Sequence, residues 1–255
     1  MRKTSSGKFF LLCSIFFAKM IAAQTNASDS SQLNTSIAGV INFHNSVLKE
    51  NIHLYNGWQD QGYNHLAIGH PYFMADSVQI GNITYDDTYY PGVSMLYDLV
   101  TDNVVILEYA VSGDTSVYRT TLRMDLVKNK IHSFYLPGHE FVRLAADSSA
   151  IGMPEGFYER MYNGKTKLFV KRIKLYMEEV RGNELERRYQ LNTTYYVQKN
   201  GKYYSIRSKK TLLSLLKDKK SELSSFIRSN KKRFKKNKEL MIFETTQHYD
   251  QLATH

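Results

Sequence analysis

Val93, Met95, Tyr97 and Leu99 alternate with polar or smaller residues. After Thr101-Asp102-Asn103 the alternation returns in Val105, Leu107, Tyr109 and Val111. A period of two on both sides of a turn describes a β-hairpin with one face in a core; a helix would repeat every 3.6 residues. The same idiom runs on either side. Val78 and Ile80 share one parity and Ile83 and Tyr85 the other, so a β-bulge is expected at Gly81-Asn82. Asp86-Asp87 marks the next turn, and Pro71 in Gly69-His70-Pro71-Tyr72-Phe73 marks a loop entering the sheet. Downstream, Tyr118, Leu122, Met124 and Leu126 predict a strand, as do His132, Phe134 and Leu136, and then Phe141 to Leu144.

Two Asn-Gly dipeptides follow. Both central residues of a two-residue type I′ turn need positive φ, which Asn and Gly tolerate. At Asn163-Gly164 that turn would set Phe157 opposite Val170 and Tyr158 opposite Phe169. At Asn200-Gly201 it would set Val197 opposite Tyr204 and Tyr195 opposite Ile206. The charged stretch Glu178 to Arg188, with Gly182-Asn183 at its middle, reads as an exposed turn or long hairpin tip. Trp58 is expected to anchor a core or subdomain.

The period changes after Arg207. Ser208 is placed to cap a helix carrying Leu212, Leu213, Leu215 and Leu216, and Asp218 a second carrying Leu223, Phe226 and Ile227. A third carries Leu240 and Phe243. The expected fold is mainly β: an antiparallel meander forming a curved sheet, open barrel or sandwich, with a C-terminal helical segment packed on it. The expected organisation is a signal peptide over 1–23, a flexible or helical lead over 24–54, the β domain over 55–207 and basic helices over 208–255.

The signal peptide is read from Arg2, Lys3 and Lys8 before the apolar run Phe9 to Ala18, with Ala22-Ala23 as small residues for cleavage. The run is too short to span a bilayer, and no later stretch is apolar enough, so no transmembrane helix is expected in the mature chain. Cys13 is the only cysteine, so disulfides are not expected after cleavage. Charge is split along the chain. No Lys or Arg occurs between Lys49 and Arg119, whereas Arg207 to Glu239 holds 13 bases against 3 acids within an overall net charge of +10. Such a split suits intramolecular docking or an anionic partner for the tail.

The motifs L-Y-N-G (54–57), G-H-P-Y-F (69–73), G-N-I-T-Y-D-D (81–87) and L-Y-D-L-x-x-D (96–102), with G-F-Y-E (156–159), Y-Y-V (195–197) and the lysine-rich helical tail, resemble a family of exported bacterial envelope proteins. The resemblance spreads over Leu54 to Leu252. It implies periplasmic or outer-membrane-associated localisation in a Gram-negative bacterium and carries no catalytic motif.

Catalytic signatures are missing from the sequence. There is no mature cysteine, no G-x-S-x-G, no Walker loop and no H-E-x-x-H. His65 and His70 fall in a loop with Gly69 and Pro71, and His132 and His139 are split by Pro137-Gly138, so helical metal spacing is unavailable. Asp86 and Asp87 with Asp98 or Asp102 suit turn chemistry better than calcium. Glu155, Glu159 and Asp125 are carboxylates without a motif that selects them. No enzyme activity, metal or cofactor is therefore expected. The leading expectation is a non-enzymatic envelope protein binding a partner or an anionic envelope component through Arg228, Lys231, Lys232, Arg233, Lys235, Lys236 and Lys238. The partner would be an envelope protein, anionic lipid or cell-wall polymer, with peripheral membrane association; export argues against nucleic acid. An alternative is a carrier of lipid or another apolar ligand on the concave sheet, lined by Tyr97, Tyr109, Phe134, Phe169 and Tyr195. A carboxylate-dependent hydrolase is the third reading.

Overall fold

The computed structural model describes residues 54, 56–63, 66–111, 119–145, 153–182 and 184–253; for 108–111 and 119–121 it describes the backbone only. The expected signal peptide, the lead up to residue 53 and most of the 147–156 loop lie outside these residues.

Eleven strands form one antiparallel, open sheet. They are β1 (Trp58–Gln59), β2 (Gln79–Tyr85), β3 (Thr88–Asp98), β4 (Asn103–Val111), β5 (Arg119–Asp125), β6 (Ile131–Leu136), β7 (His139–Leu144), β8 (Gly156–Asn163), β9 (Lys167–Arg181), β10 (Glu184–Lys199) and β11 (Lys202–Ile206). The spatial order is β1-β5-β4-β3-β2-β6-β7-β8-β9-β10-β11. Strands β2 to β5 thus run as a meander in one direction, and β6 returns to pair with the far edge of β2. Only residues 126–130 make that return, and Lys128–Lys130 is a 3-10 turn. Four strand spacings in a flat sheet are roughly 19 Å, about the reach of six fully extended Cα steps. A link containing a helical turn is shorter, so β2 to β6 must curl towards one another.

Rings fill the concavity. Tyr97, Phe134, Phe141 and Phe157 are each no more than 2% exposed. Phe134 stacks on Phe141 at 4.7 Å between centroids, and Tyr97 meets both rings edge-on at 4.9–5.0 Å. Leu54, Phe73, Ile83, Met95, Leu126 and Leu136 are among the other members of this cluster. The bulge predicted at Gly81-Asn82 is present as a register shift between Gly81 and Ile83. A Cβ at Gly81 would lie 2.1 Å from the Tyr135 carbonyl oxygen, so close strand approach demands glycine there.

The two Asn-Gly sites differ. Asn200 and Gly201 have φ of 52° and 76°, and the register pairs Val197 with Tyr204 and Tyr195 with Ile206 as expected. At Asn163-Gly164 neither residue has positive φ. Asn163 pairs with Lys167, so Gly164 to Thr166 form a three-residue turn, and a bulge between Arg160 and Tyr162 shifts the ladder. Glu159 therefore faces Val170 and Arg160 faces Phe169, correcting the expected register. The cause is tertiary. The Asp250 carboxylate accepts the Thr166 amide at 2.9 Å, and a Cβ at Gly164 would sit 2.2 Å from Asp250 Oδ2. Glycine is needed at 164 for close approach, not for its φ.

Trp58 corrects a second expectation. It lies on the two-residue edge strand β1 and is 78% exposed. Its neighbour Gly57 makes the intimate contact instead, since a Cβ there would overlap the Asp125 carbonyl.

The tail folds into α1 (Lys209–Leu215), α2 (Lys220–Ser229), α3 (Lys231–Phe234) and α4 (Lys238–Leu252). Ser208 and Thr211 form the reciprocal cap of α1. Asp218 does not cap α2; it accepts from Lys199 Nζ and the Tyr249 hydroxyl, both at 2.8 Å, tying the α1–α2 link to β10 and α4. Leu212, Leu216, Leu223, Ile227, Phe234 and Ile242 pack on Leu168, Val170, Tyr195, Val197 and Ile206 of the sheet. No helix among the described residues is long and apolar enough to cross a membrane.

Candidate functional site: the basic helical tail

Charged groups inside the protein serve the fold. Asp102, at the β3–β4 turn with φ 56°, accepts from Lys171 Nζ (2.6 Å), Lys128 Nζ (2.7 Å) and the Tyr97 hydroxyl (2.7 Å). Lys171 also donates to the Phe157 carbonyl at 3.0 Å. Burial pushes the Lys171 pKa down, against the pull of the adjacent Asp102 carboxylate. Glu159, 4% exposed, meets His139 Nδ1 at 2.6 Å and the Arg172 guanidinium at 2.6 Å. Arg172 reaches on to Glu239 of α4 at 2.8 Å. These groups are mutually satisfied, as buried charges must be.

The remaining carboxylates named from sequence have partners of their own. Glu155 pairs with Arg143 at the surface. Asp125 accepts from Asn103, and burial with Asp60 and Asp98 nearby pushes its pKa up to about 6. Asp86 pairs with Lys130 and Asp87 with His132, each at a positive-φ turn position. No group of three or more His, Cys, Asp or Glu among the described residues is placed to hold a metal ion.

Of the five rings considered as liners, the four described are distributed over separate clusters. Tyr97 and Phe134 belong to the ring core of the curled strands. Phe169 packs with Met153, Tyr158 and Tyr196. Tyr195 faces the helices. The side chain of Tyr109 lies outside the described residues. The four described rings are buried against the protein's own side chains and do not share one surface.

The seven tail cations lie close together along the chain and all face solvent. Arg228 closes α2, Lys231, Lys232 and Arg233 lie on α3, Lys235 and Lys236 follow it, and Lys238 opens α4; all are exposed. Phe234, in the middle of the run, points inward and is buried. The apolar residues of these short helices are thus spent on the sheet, which leaves the cations outside. Arg233 pairs with Glu244, and Lys238 Nζ lies 5.1 Å from the Tyr195 ring centroid. Arg228, Lys231, Lys232, Lys235 and Lys236 have no side-chain partner among the described residues.

The fold adds one residue that the sequence reading left out. Arg207 immediately follows β11 and meets Lys238 across a recess of about 350 Å³, with the hydroxyl residues Thr193, Thr194 and Ser205 on its wall. Its sequence neighbourhood offers only one signal, a base immediately before the Ser208 cap. Thirty residues separate it from Lys238, so proximity comes from packing alone. Comparison with protein-family models, with curated proteins and with solved structures returns no match.

Proposed function

We propose that this is a non-enzymatic binding protein of the bacterial envelope that attaches to an anionic envelope component through its helical tail. The observation that carries the reading is the set of five exposed cations between Arg228 and Lys236 without a side-chain partner among the described residues, on helices whose apolar residues are buried or half-buried. Anionic lipid headgroups attract such a cluster by about 1 kcal/mol per basic residue near the surface. The Arg207–Lys238 recess supplies two further cations beside hydroxyl donors, suited to an anionic headgroup. Export of the chain is part of the same proposal and rests on the N-terminal pattern of bases and apolar residues.

The test is sedimentation of the mature chain with vesicles of phosphatidylglycerol in phosphatidylcholine across a sodium chloride series. Retention is expected at low salt, with loss as the Debye length shortens from about 10 Å towards 3 Å at 1 M. Replacing Lys231, Lys232, Lys235 and Lys236 together by Gln should abolish retention and leave the melting temperature within about 1–2 °C, because the side chains are exposed and unpaired. No retention at low salt, or retention indifferent to salt and to the four substitutions, overturns the proposal.

A further inference from the structure

A second concavity lies away from the tail. Distant parts of the chain build it: residues 61–63 and 69–76, Arg123 of β5 and Tyr189 of β10. Its volume is about 380 Å³, within the range of small-molecule sites. Tyr63, His70, Tyr72, Asp76, Arg123 and Tyr189 supply the lining that matters.

The walls are held before any ligand arrives. Tyr63 stands nearly perpendicular to both Tyr72 and Tyr189, at 6.2 and 6.0 Å between centroids. Its hydroxyl donates to Asp98 Oδ2 at 2.5 Å. Arg123 donates to the Tyr72 hydroxyl at 2.6 Å and pairs with Asp60 at 2.6 Å. Lys174 Nζ donates to the carbonyls of His70 and Tyr72, each at 2.7 Å, fixing the loop that carries both rings. A site so braced loses little conformational freedom on binding.

Its chemistry narrows the ligand class. The two bases are already committed: Arg123 to Asp60 and a tyrosine hydroxyl, Lys174 to two carbonyls. Asp76 lies on the wall and Asp98 behind it, so an anion gains little. An apolar ligand would strip water from Asp76, Gln61 and Arg123 without replacing their hydrogen bonds. A cation would meet the Arg123 guanidinium on the wall; Tyr72 itself is buried, with Arg123 5.7 Å from its ring centroid and His70 stacked on it, so Tyr63 and Tyr189 are the rings left to a ligand. What fits is a neutral molecule with apolar C–H faces for the rings and hydroxyls for the polar groups.

We infer that the cleft between Tyr63, Tyr72, His70 and Tyr189 binds a neutral carbohydrate, one or two pyranose units of a glycan. The experiment is calorimetric titration of the mature chain with maltotriose, cellotriose and chitotriose, with choline chloride and inorganic phosphate as the cationic and anionic probes. At least one trisaccharide should bind saturably with a millimolar or tighter Kd. Tyr189→Ala should weaken it about tenfold or more, as loss of an aromatic contact does, while Tyr189→Phe, which keeps the ring, should weaken it less than about threefold. Circular dichroism on both variants checks the fold, and the four-lysine tail variant should bind the sugar unchanged. Failure of all three sugars to saturate at about 20 mM, equal loss in the Phe and Ala variants, or preferential binding of choline or phosphate overturns the inference.

Discussion

The front of the sheet, β2 to β7, and its back, β8 to β11 with the helices, solve the same burial problem by different means. At the front, strands curl and their own rings meet across the concavity, with Phe134, Phe141 and Tyr97 in contact. At the back the sheet stays open and a separate layer of short helices covers one face. Ionic and hydrogen-bonded clamps hold that layer. Arg172 grips Glu239 near the start of α4, and Asp250 near its end holds the Thr166 amide. The lesson is physical. The strands of the curled front are already positioned by their ladder hydrogen bonds, and apolar packing, which is non-directional, fills the space between them, whereas a layer of short helices needs side-chain contacts to fix its position, since isolated helices of this length are marginal.

One side chain spans both regions, and removing its charge is the largest expected effect. Asp102 in the front turn neutralises Lys171 of β9. Asp102→Asn preserves the tolerance of φ 56° but leaves a buried lysine without its counter-charge. A loss of about 3–5 kcal/mol is expected, read as a fall in the denaturant midpoint that tyrosine fluorescence and far-UV circular dichroism follow together. If helix signal alone were lost, the view of Asp102 as the joint between front and back would fail.

Asp250→Ala should act only on the back. It strips the acceptor from the buried Thr166 amide, worth about 1–3 kcal/mol. Hydrogen exchange should quicken in α4 and at 163–167, while β2 to β6 keep their protection. Uniform loss of protection across the sheet would show that the clamp is not local.

The smallest effect concerns the front. Asp125, with its pKa raised to about 6, holds its proton in the folded chain at pH values where the unfolded chain has released it. Stability therefore falls as pH rises from the ordinary aspartate value of 3.8 through about 6, and the penalty persists above. Asp125→Asn should stabilise at pH 7–8 by at most about 1 kcal/mol after solvent screening, with the gain gone at pH 4. Thermal melts of both proteins at the two pH values check it; an equal difference at both would dismiss the carboxylate as its source.

Much of the sheet was legible in the chain. Alternation marked the strands around 93–111, though not their burial on one face: Met95, Tyr97 and Ile106 lie in the ring core and Leu96, Val105 and Leu107 in a second cluster on the other face. The parity switch at Gly81-Asn82 marked a bulge, and Asn200-Gly201 marked a two-residue turn with its register. The same dipeptide at 163–164 misled, because Asp250, more than eighty residues away, imposes a different turn. Trp58 misled because size argues for burial, while a two-residue edge strand has only one neighbour to offer. For the candidate site, the run of bases was plain, but the inward turn of Phe234 was not, since its sequence neighbours are basic and its packing partners, Phe226 among them, come together only on folding. Arg207 and the tyrosine cleft were not visible, since their parts meet only after folding.

Local rules thus decided which segments are extended, where most turns fall, and that the last fifty or so residues are helical and basic; each depends on residues a few positions apart, where periodicity and φ preferences act. The return of β6 to β2, the separation of the rings into several clusters, the clamps on α4 and the two concavities were decided by packing. Those features join residues tens of positions apart, and nothing in a local period records which faces will find each other once the sheet curls.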